Sequence, residues 1–332
     1  MVSRNCSKLS SSKTMRIEGN VMDFIKESLD TLIRGNPSSL DAYLLEVCKN
    51  EDIDSTKAEM HIYMLRLDGN NRPRIKDLAS FLSYCIIDYC IPPKDIANAK
   101  KMDKTYNTTQ YTMKLCKKAE GLFTDLKNTG EGGELLLSVM TQSFLKIPQV
   151  LCKMPLKTNP QVHYHGADGL YGKYDEVTQK FCLYWGESKL YSNIDDALTK
   201  CFDSIKPLLI EEGASSSQRE RDLTLFRDNI DFDNKYLEDA ILLFLNPDDP
   251  NYLKLEYRGV CLVGYDEDAY PKDLSGIEAK IQDTIKNRIS EFKSKISHRL
   301  KNRAPLDDFR LDVFLVPFSD VDMFRKKFLD VI

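Results

Sequence analysis

Apolar positions in the first third of the chain recur first at helical spacing and then at strand spacing. Residues 20–34 carry apolar side chains every three or four positions, which predicts a helix. Residues 58–67 (AEMHIYMLRL) predict a strand that ends in the turn DGNNRP. A second helix is expected from residue 75 to about residue 89, closed by Pro92 and Pro93. The polar segment KKMDKTYNTTQ (100–110) follows and marks a candidate domain boundary.

Beyond residue 110 the pattern predicts helices and strands in a readable order. A helix over 111–127 precedes the glycine-rich turn NTGEGG, which opens a second helix, ELLLSVMTQSFLK. Three strands are expected over 149–156, 165–173 and 180–191, followed by a helix that Ser192 or Asn193 caps. The remainder is assigned to the loop GASSSQRERD, a short helix at 236–245, a strand at 253–265, a long helix at 276–301, a strand at 309–316 and a terminal helix at 321–331. The order predicts an α/β (α+β) fold class.

One face of the strand predicted at 180–191 changes from apolar to charged at its end. Phe181, Leu183 and Trp185 share that face with Glu187 and Lys189, because side chains alternate along a strand. Strand ends commonly emerge into solvent, where a Glu–Lys pair is ordinary. An acid-x-Lys triplet also arises by chance several times in a chain this charged. The triplet alone is therefore weak evidence for a site.

Asp168 adds a second carboxylate to this charged strand end. It lies between glycines in GADG, and pairing across the turn YDEVTQ would bring it beside Glu187. Two carboxylates held close repel each other, and a divalent cation relieves the repulsion. Lys189 can orient or help deprotonate a metal-bound water, and it can stabilise charge that develops on phosphorus. The three residues outline a site for phosphodiester hydrolysis.

These residues resemble the PD-(D/E)xK nuclease superfamily, with Asp168 as the D and Glu187-Ser188-Lys189 as the E-x-K. Ala167 stands where a literal motif has proline. Four segments in order, GEGGELLLSVM, KMPLKTN, HGADGLYG and LYWGESKLY, resemble a narrower family, the HamA nuclease subunits of the bacterial Hachiman anti-phage system and their AbpA-type relatives. The resemblance is strongest over residues 130–191 and extends from about residue 60 to the C-terminus.

The resemblance implies a restriction-endonuclease-like mixed sheet flanked by helices. The expected division is a flexible tail at 1–19, an N-terminal α/β extension at 20–110 and a PD-(D/E)xK-like nuclease core at 111–332. It also implies a DNA substrate, Mg²⁺ (or Mn²⁺) held by Asp168 and Glu187, and Lys189 positioning the attacking water. Glu134, on the helix before the first core strand, is expected to assist. The implied partner is a superfamily-2 helicase, HamB or an AbpB-like protein, in the bacterial cytoplasm.

Several further residues admit a functional and a structural interpretation. Lys157 and His165 are candidate contacts to a phosphate or to the substrate, although a solvated lysine and a turn-stabilising histidine fit equally well. His163 and His165 lack a third metal ligand nearby. Glu134 is also favourable at the start of a helix simply through the helix dipole. Trp185 and its neighbouring tyrosines Tyr184 and Tyr191 can stack on bases, but core packing is the better interpretation.

Composition and charge narrow the picture. The nine cysteines form no CxxC pair, which indicates free thiols in a reducing cytosol rather than disulfides or a zinc site. No apolar run is long enough to cross a membrane. The net charge is −4, whereas a protein that grips nucleic acid alone usually has a basic excess. Residues 272–303 are locally basic, and they form either a solvated helix face or a surface for nucleic acid or a partner.

Two alternatives to a DNA nuclease remain open from the residues. The chain can be a non-catalytic subunit that binds a helicase partner and keeps the core as a scaffold. It can also be an RNase on the same fold, because metal-assisted attack on phosphorus looks alike for both nucleic acids.

Overall fold

The computed structural model describes residues 22–123, 130–157, 166–210, 217–270 and 277–332. Its strands are β1 (Leu44–Asp52), β2 (Ala58–Leu65), β3 (Gln149–Leu151), β4 (Gly169–Asp175), β5 (Lys180–Leu190), β6 (Leu255–Asp266) and β7 (Leu311–Phe318). They form one sheet in the order β1-β2-β7-β6-β5-β4-β3. Strands β2, β7, β6 and β5 run parallel in the centre, while β1 at one edge and β4 and β3 at the other are antiparallel to their neighbours.

Helices flank the sheet. They are α1 (22–30), α2 (Ile75–Tyr84), α3 (Ile86–Cys90), α4 (Pro93–Tyr106), α5 (Gln110–Gly121), α6 (Glu131–Met140), α7 (Met154–Lys157), α8 (Ile194–Leu209), α9 (Gln218–Asn229), α10 (Lys235–Phe244), α11 (Glu278–Lys286), α12 (Ile289–Lys301) and α13 (Val321–Leu329). The predicted α/β class is confirmed, as is the order of helix, three strands, helix and strand in α6, β3, β4, β5, α8 and β6.

Strand β5 lies between two helical layers. Helix α6 packs on the face of Gly186, where an added Cβ would meet a methyl carbon of Leu137 at 3.2 Å. Helix α8 packs on the other face, where Ile205 approaches Gly259 of the neighbouring strand. Continuous burial on both faces explains the unbroken apolar run FCLYW in β5. Asn193 caps α8 as predicted, and its side chain accepts hydrogen bonds from the backbone of Asp195 and Asp196.

Some predicted elements were wrong in type. Most of the polar segment 100–110 is helical, since residues 100–106 end α4 and Gln110 begins α5. Of the loop predicted at 213–222, residues 213–216 lie outside the described residues, and residues 218–222 instead form the start of α9. The Ser217 side chain caps this helix by accepting a hydrogen bond from the backbone N–H of Glu220. Residues 152–156 do not continue β3, and α7 begins there at Met154. Strand β1 had no prediction. Exposed and buried positions do not alternate regularly along it, because two register shifts interrupt its pairing with β2.

Two predicted helices are each divided in the structure. The helix expected at 75–89 breaks at Cys85 into α2 and α3. The long helix expected at 276–301 breaks at Asn287 and Arg288 into α11 and α12. At the second break the guanidinium of Arg288 reaches the buried carboxylate of Glu267 at 2.7 Å. Apolar spacing continues across both breaks, so periodicity alone could not reveal them.

The N-terminal part of the chain joins the same sheet as the rest. Strand β2 pairs in parallel with β7, with Ala58 opposite Leu311. The predicted boundary near residue 110 remains a prediction, as does the tail at 1–19, which lies outside the described residues. None of the eight cysteines that the structure describes is in a disulfide. Within those same ranges no helix is long and apolar enough to cross a membrane.

Candidate functional site

The register of β4 against β5 brings the two predicted carboxylate residues together. Gly169 pairs with Gly186, so Asp168 and Glu187 are the next residues in register at the end of the strand pair. The backbone N–H of Asp168 donates to the carbonyl of Gly186 at 2.8 Å and fixes this register. The expected pairing across the turn YDEVTQ is confirmed.

Ser188 holds the carboxylate of Asp168. Its backbone N–H and its hydroxyl donate to Asp168 Oδ2 at 2.7 and 2.8 Å. These two bonds extend the hydrogen bonding between the strands beyond the start of β4. Sequence reasoning treated Ser188 as the variable position of the E-x-K triplet. The one available signal was its place between Glu187 and Lys189, where alternation turns it to the opposite face of the strand.

Glu187 and Lys189 form a close pair in which the lysine side chain is 25% exposed. Glu187 is 4% exposed, and its Oε1 accepts a short hydrogen bond from Lys189 Nζ. Burial, together with the charge of Asp168, raises the pKa of Glu187 to about 8 despite the lysine. Burial lowers the pKa of Lys189, but the carboxylates of Glu187 and Asp168 outweigh burial and raise that pKa overall. One lysine therefore faces two carboxylates, and Lys189 stays an ammonium rather than a base.

Glu134 approaches the same site from α6 through Tyr89. The Tyr89 hydroxyl lies 3.2 Å from Glu134 Oε2 and 3.3 Å from the carbonyl of Asp168, so its single proton is shared between two acceptors. Tyr89 is 3% exposed, and burial with the nearby Glu134 raises its pKa well above the ordinary value, so it remains a donor. Tyr89 lies on α3, far from the motif segments in sequence, and no sequence signal pointed to it.

Glycines allow α6 to approach β5 and α13 closely. A Cβ on Gly133 would lie 3.3 Å from the Ser188 hydroxyl and 3.2 Å from Leu190. A Cβ on Gly132 would lie 3.0 Å from the ring of Phe328. The segment GEGGE thus combines close helix packing with the carboxylate of Glu134. The sequence had offered this glycine-rich segment as a helix start and a family motif.

The other predicted residues are placed as follows. Lys157 ends α7, and His165 lies outside the described residues, so both remain predicted substrate contacts only. Trp185 is 0% exposed and Tyr184 is buried, so their interpretation as core residues is confirmed. Tyr191, which directly follows β5, is exposed, so its interpretation as a core residue is wrong.

The donors present fit a hard divalent cation. Mg²⁺ accepts one or two carboxylates and keeps several waters. Asp168 and Glu187 offer two carboxylates beside one lysine, and burial, together with the charge of Asp168, raises the pKa of Glu187. Both hydrogen bonds to Asp168 go to Oδ2, and among the described residues no bond to Oδ1 is found. Asp168 and Glu187 would hold the ion.

A second group of ligand-type residues does not fit a metal. Glu59, His61 and Asp312 have ligand atoms that all lie within 4.8 Å of one another. However, His61 Nδ1 accepts the backbone N–H of Asn50 at 3.1 Å, so its proton lies on Nε2, which is 3.0 Å from Asp312 Oδ1. Both ring nitrogens are thus occupied by protein hydrogen bonds, and a metal could enter only by displacing one of them.

The locally basic segment is largely neutralised within the fold. Five of its cations make ion pairs at 2.5 to 2.7 Å: Arg288 with Glu267, Lys293 with Glu51, Lys295 and Arg299 with Asp195, and Arg303 with Asp203. These ion pairs connect α12 and the residues beside it to β1, to α8 and to the segment just after β6. Lys280, Lys286 and Lys301 remain exposed. Its role as a nucleic-acid or partner surface therefore remains a hypothesis with fewer available charges.

The fold and site together define a mixed α/β protein with two carboxylates and a lysine at the end of the β4–β5 strand pair. The family model for HamA matches residues 41–332, nearly the whole chain. The chain belongs to the HamA family and is thereby a component of Hachiman defence. No curated protein matches it.

Proposed function

We propose that this chain is the metal-dependent nuclease of its defence system and hydrolyses DNA phosphodiester bonds. The observation that carries the proposal is the β4–β5 register, which sets Asp168 beside Glu187 while Lys189 is paired with Glu187. A scaffold subunit would have no need of a buried, incompletely balanced charge cluster, since isolated buried charge is unfavourable. Family membership supports the defence role, and the resemblance to PD-(D/E)xK enzymes supports the reaction class.

Each residue has a role that its surroundings support. A bound Mg²⁺ supplies Lewis-acid polarisation of the phosphate and a more acidic water. Asp168, held by Ser188, and Glu187 provide the ligand oxygens. Lys189 stays protonated, so it orients the attacking water or stabilises charge on the phosphate as a donor, and it does not remove a proton. Glu134, hydrogen-bonded to Tyr89, would add a third carboxylate to the site.

A cleavage assay with matched substrates tests this function. The purified chain, with and without its helicase, is incubated with plasmid DNA, linear duplex DNA and single-stranded RNA in Mg²⁺ or in EDTA. Metal-dependent cleavage of DNA is the expected result. Cleavage of RNA alone would transfer the same site to an RNase. No cleavage of any substrate, with the helicase active and Mg²⁺ present, would contradict the proposal and favour the scaffold.

The proposed partner is a superfamily-2 helicase, HamB or an AbpB-like protein, which supplies the grip on DNA and restrains the nuclease until activation. The net charge of −4 and the internal pairing of the basic segment support this division of labour. DNA affinity without sequence recognition comes mainly from neutralised phosphates. A basic segment whose cations are mostly paired within the fold has few left for that purpose.

The lone chain is expected to bind duplex DNA weakly at physiological salt, with a dissociation constant of roughly 10⁻⁴–10⁻⁶ M. The co-purified complex of this chain and the helicase should bind duplex DNA at least about tenfold more tightly than the lone chain does. It should cleave only when DNA and ATP are both present. Fluorescence anisotropy with labelled duplex at two salt concentrations, run beside the cleavage assay, measures both effects. A lone chain that binds and cuts duplex DNA as well as the complex does would remove the helicase from the proposal.

A further inference from the structure

Ala167, the residue before Asp168, is hydrogen-bonded through its backbone N–H and its carbonyl to a buried ion pair, Lys153 and Asp222. Lys153 Nζ donates to the carbonyl of Ala167 at 2.7 Å and to Asp222 Oδ2 at 2.9 Å. Asp222 Oδ2 also accepts the backbone N–H of Ala167 at 3.0 Å. The three groups close a ring of hydrogen bonds around one residue. Lys153 lies between β3 and α7, and Asp222 lies on α9, so two separate elements hold the strand start.

The pair is deeply buried and tightly fitted. The side chains of Lys153 and Asp222 are 3% and 2% exposed. Gly166, the residue before Ala167, has no room for a side chain, since an added Cβ would lie 2.4 Å from Asp222 Oδ1. Burying an ion pair costs the hydration energy of both charges, and their mutual attraction does not always compensate for that cost. Apolar residues of similar size often stabilise a fold as well or better. Stability alone therefore does not account for the pair.

We propose that the Lys153–Asp222 pair positions the metal-binding carboxylate of Asp168, an inference that rests on the proposed nuclease function. The pair fixes Ala167, and the N–H of Asp168 is fixed in turn to Gly186. With its backbone held on both sides, Asp168 can meet the two donors of Ser188 in one geometry. Lys153 and Asp222 touch Ala167 rather than the carboxylate, so they act through the backbone and are positioning residues.

The test removes both charges together in the full-length chain. Lys153→Met/Asp222→Leu removes both charges of this pair, so neither partner is left buried without the other, and the variant is expected to fold. The hydrogen bonds from Lys153 and Asp222 to the backbone of Ala167 are lost. Mutation of a residue that supports a metal ligand typically weakens metal affinity by 10- to 100-fold. Isothermal titration with Mn²⁺ alone, without nucleic acid, is expected to show the dissociation constant for Mn²⁺ raised by about 10- to 100-fold. Cleavage should recover partly at saturating Mn²⁺, as a positioning role requires.

A matched control separates positioning from the loss of any buried pair. Arg258 and Asp175 form an ion pair at 2.7 Å, 8% and 17% exposed, at the opposite end of β4. Arg258→Met/Asp175→Leu removes that pair without touching Ala167, and its Mn²⁺ affinity is expected to equal that of the unmodified chain. If Lys153→Met/Asp222→Leu does not fold, Lys153→Met/Asp222→Asn, which keeps an acceptor for Ala167 N–H, is titrated instead, with the same expected weakening.

The outcomes distinguish the two proposals. A folded pair variant that binds Mn²⁺ within twofold of the unmodified chain, while Glu187→Gln abolishes binding, would overturn the positioning role and leave the nuclease site in place. Equal Mn²⁺ binding by the unmodified chain and Glu187→Gln would overturn the metal site itself, and the positioning role with it. An equal loss in the Arg258/Asp175 control would assign the effect to general stability and also overturn the positioning role.

Discussion

Glu187→Gln and Lys189→Met are each expected to lower metal-dependent DNA cleavage by at least about a hundred- to a thousand-fold, the loss typical of removing one group that stabilises a transition state. Glu187→Gln removes a ligand oxygen's charge while keeping the side chain's shape. Lys189→Met removes the only cation found beside the two carboxylates in the described part of the chain. Initial rates on supercoiled plasmid measure both effects.

A lysine at the other end of the same strand provides the control for the Lys189 variant. Lys180, in β5, pairs with Glu256 at 3.1 Å, and its side chain is 42% exposed. Lys180→Met is expected to cleave at the unmodified rate, since exposed ion pairs contribute little. Cleavage within tenfold of the unmodified rate in both site variants, with normal melting temperatures, would exclude Glu187 and Lys189 from the reaction.

The Glu187→Gln variant should also change how stability depends on pH. With a pKa of about 8 in the folded, metal-free chain, Glu187 holds a proton that the unfolded chain releases near pH 4.3. The folded state therefore binds more protons between these values, and its stability falls as pH rises from about 5 to 8, by at most about 1.4 kcal/mol per pH unit from this group. Denaturant unfolding of Glu187→Gln in EDTA should show a flatter dependence.

Lys153→Met alone is expected to destabilise the fold by about 3–5 kcal/mol, the usual result of leaving one partner of a buried ion pair uncompensated. Asp222 would keep only the N–H of Ala167 on its Oδ2. Replacing both residues, as in Lys153→Met/Asp222→Leu, should restore most of that loss. Urea unfolding of the single and double variants measures the difference.

The reverse ranking would contradict this account of the pair. If Lys153→Met were as stable as the unmodified chain, Asp222 would have found another counter-charge or become protonated at no cost. If the double variant were less stable than Lys153→Met, the contacts of these side chains with Ala167 would matter more to stability than the balance of charge does.

The sequence predicted the centre of the fold better than its edges. Strand β5, predicted at 180–191, ends one residue earlier, and α8 begins directly after one of its two predicted cap residues, because each element is buried along a regular stripe and bounded by clear turn or cap residues. Helix α9 was missed since only Arg219, Asp222, Leu223 and Phe226 are buried in it, and two of these are charged. A helix that buries charge for a specific contact has no apolar stripe to reveal it.

The site shows the same division. Asp168 and Glu187 were brought together by one hairpin, whose register follows from a short turn between two apolar strands. Tyr89, Lys153 and Asp222 reach the site from α3, the segment before α7, and α9. Their positions depend on how distant elements pack, and no spacing along the chain encodes that. Local pairing was therefore predictable, and support from distant elements was not.

The pairing of β2 with β7 affects how the protein is made. Ala58 meets Leu311, so the ribosome produces β2 long before its central neighbour exists. During that interval one edge of β2 and one edge of β6 lack a partner, and unpaired edges attract other strands. Distant pairing of this kind is slow to form. The unpaired edge of β2 is a site for aggregation until β7 emerges and pairs with β2 and β6 together.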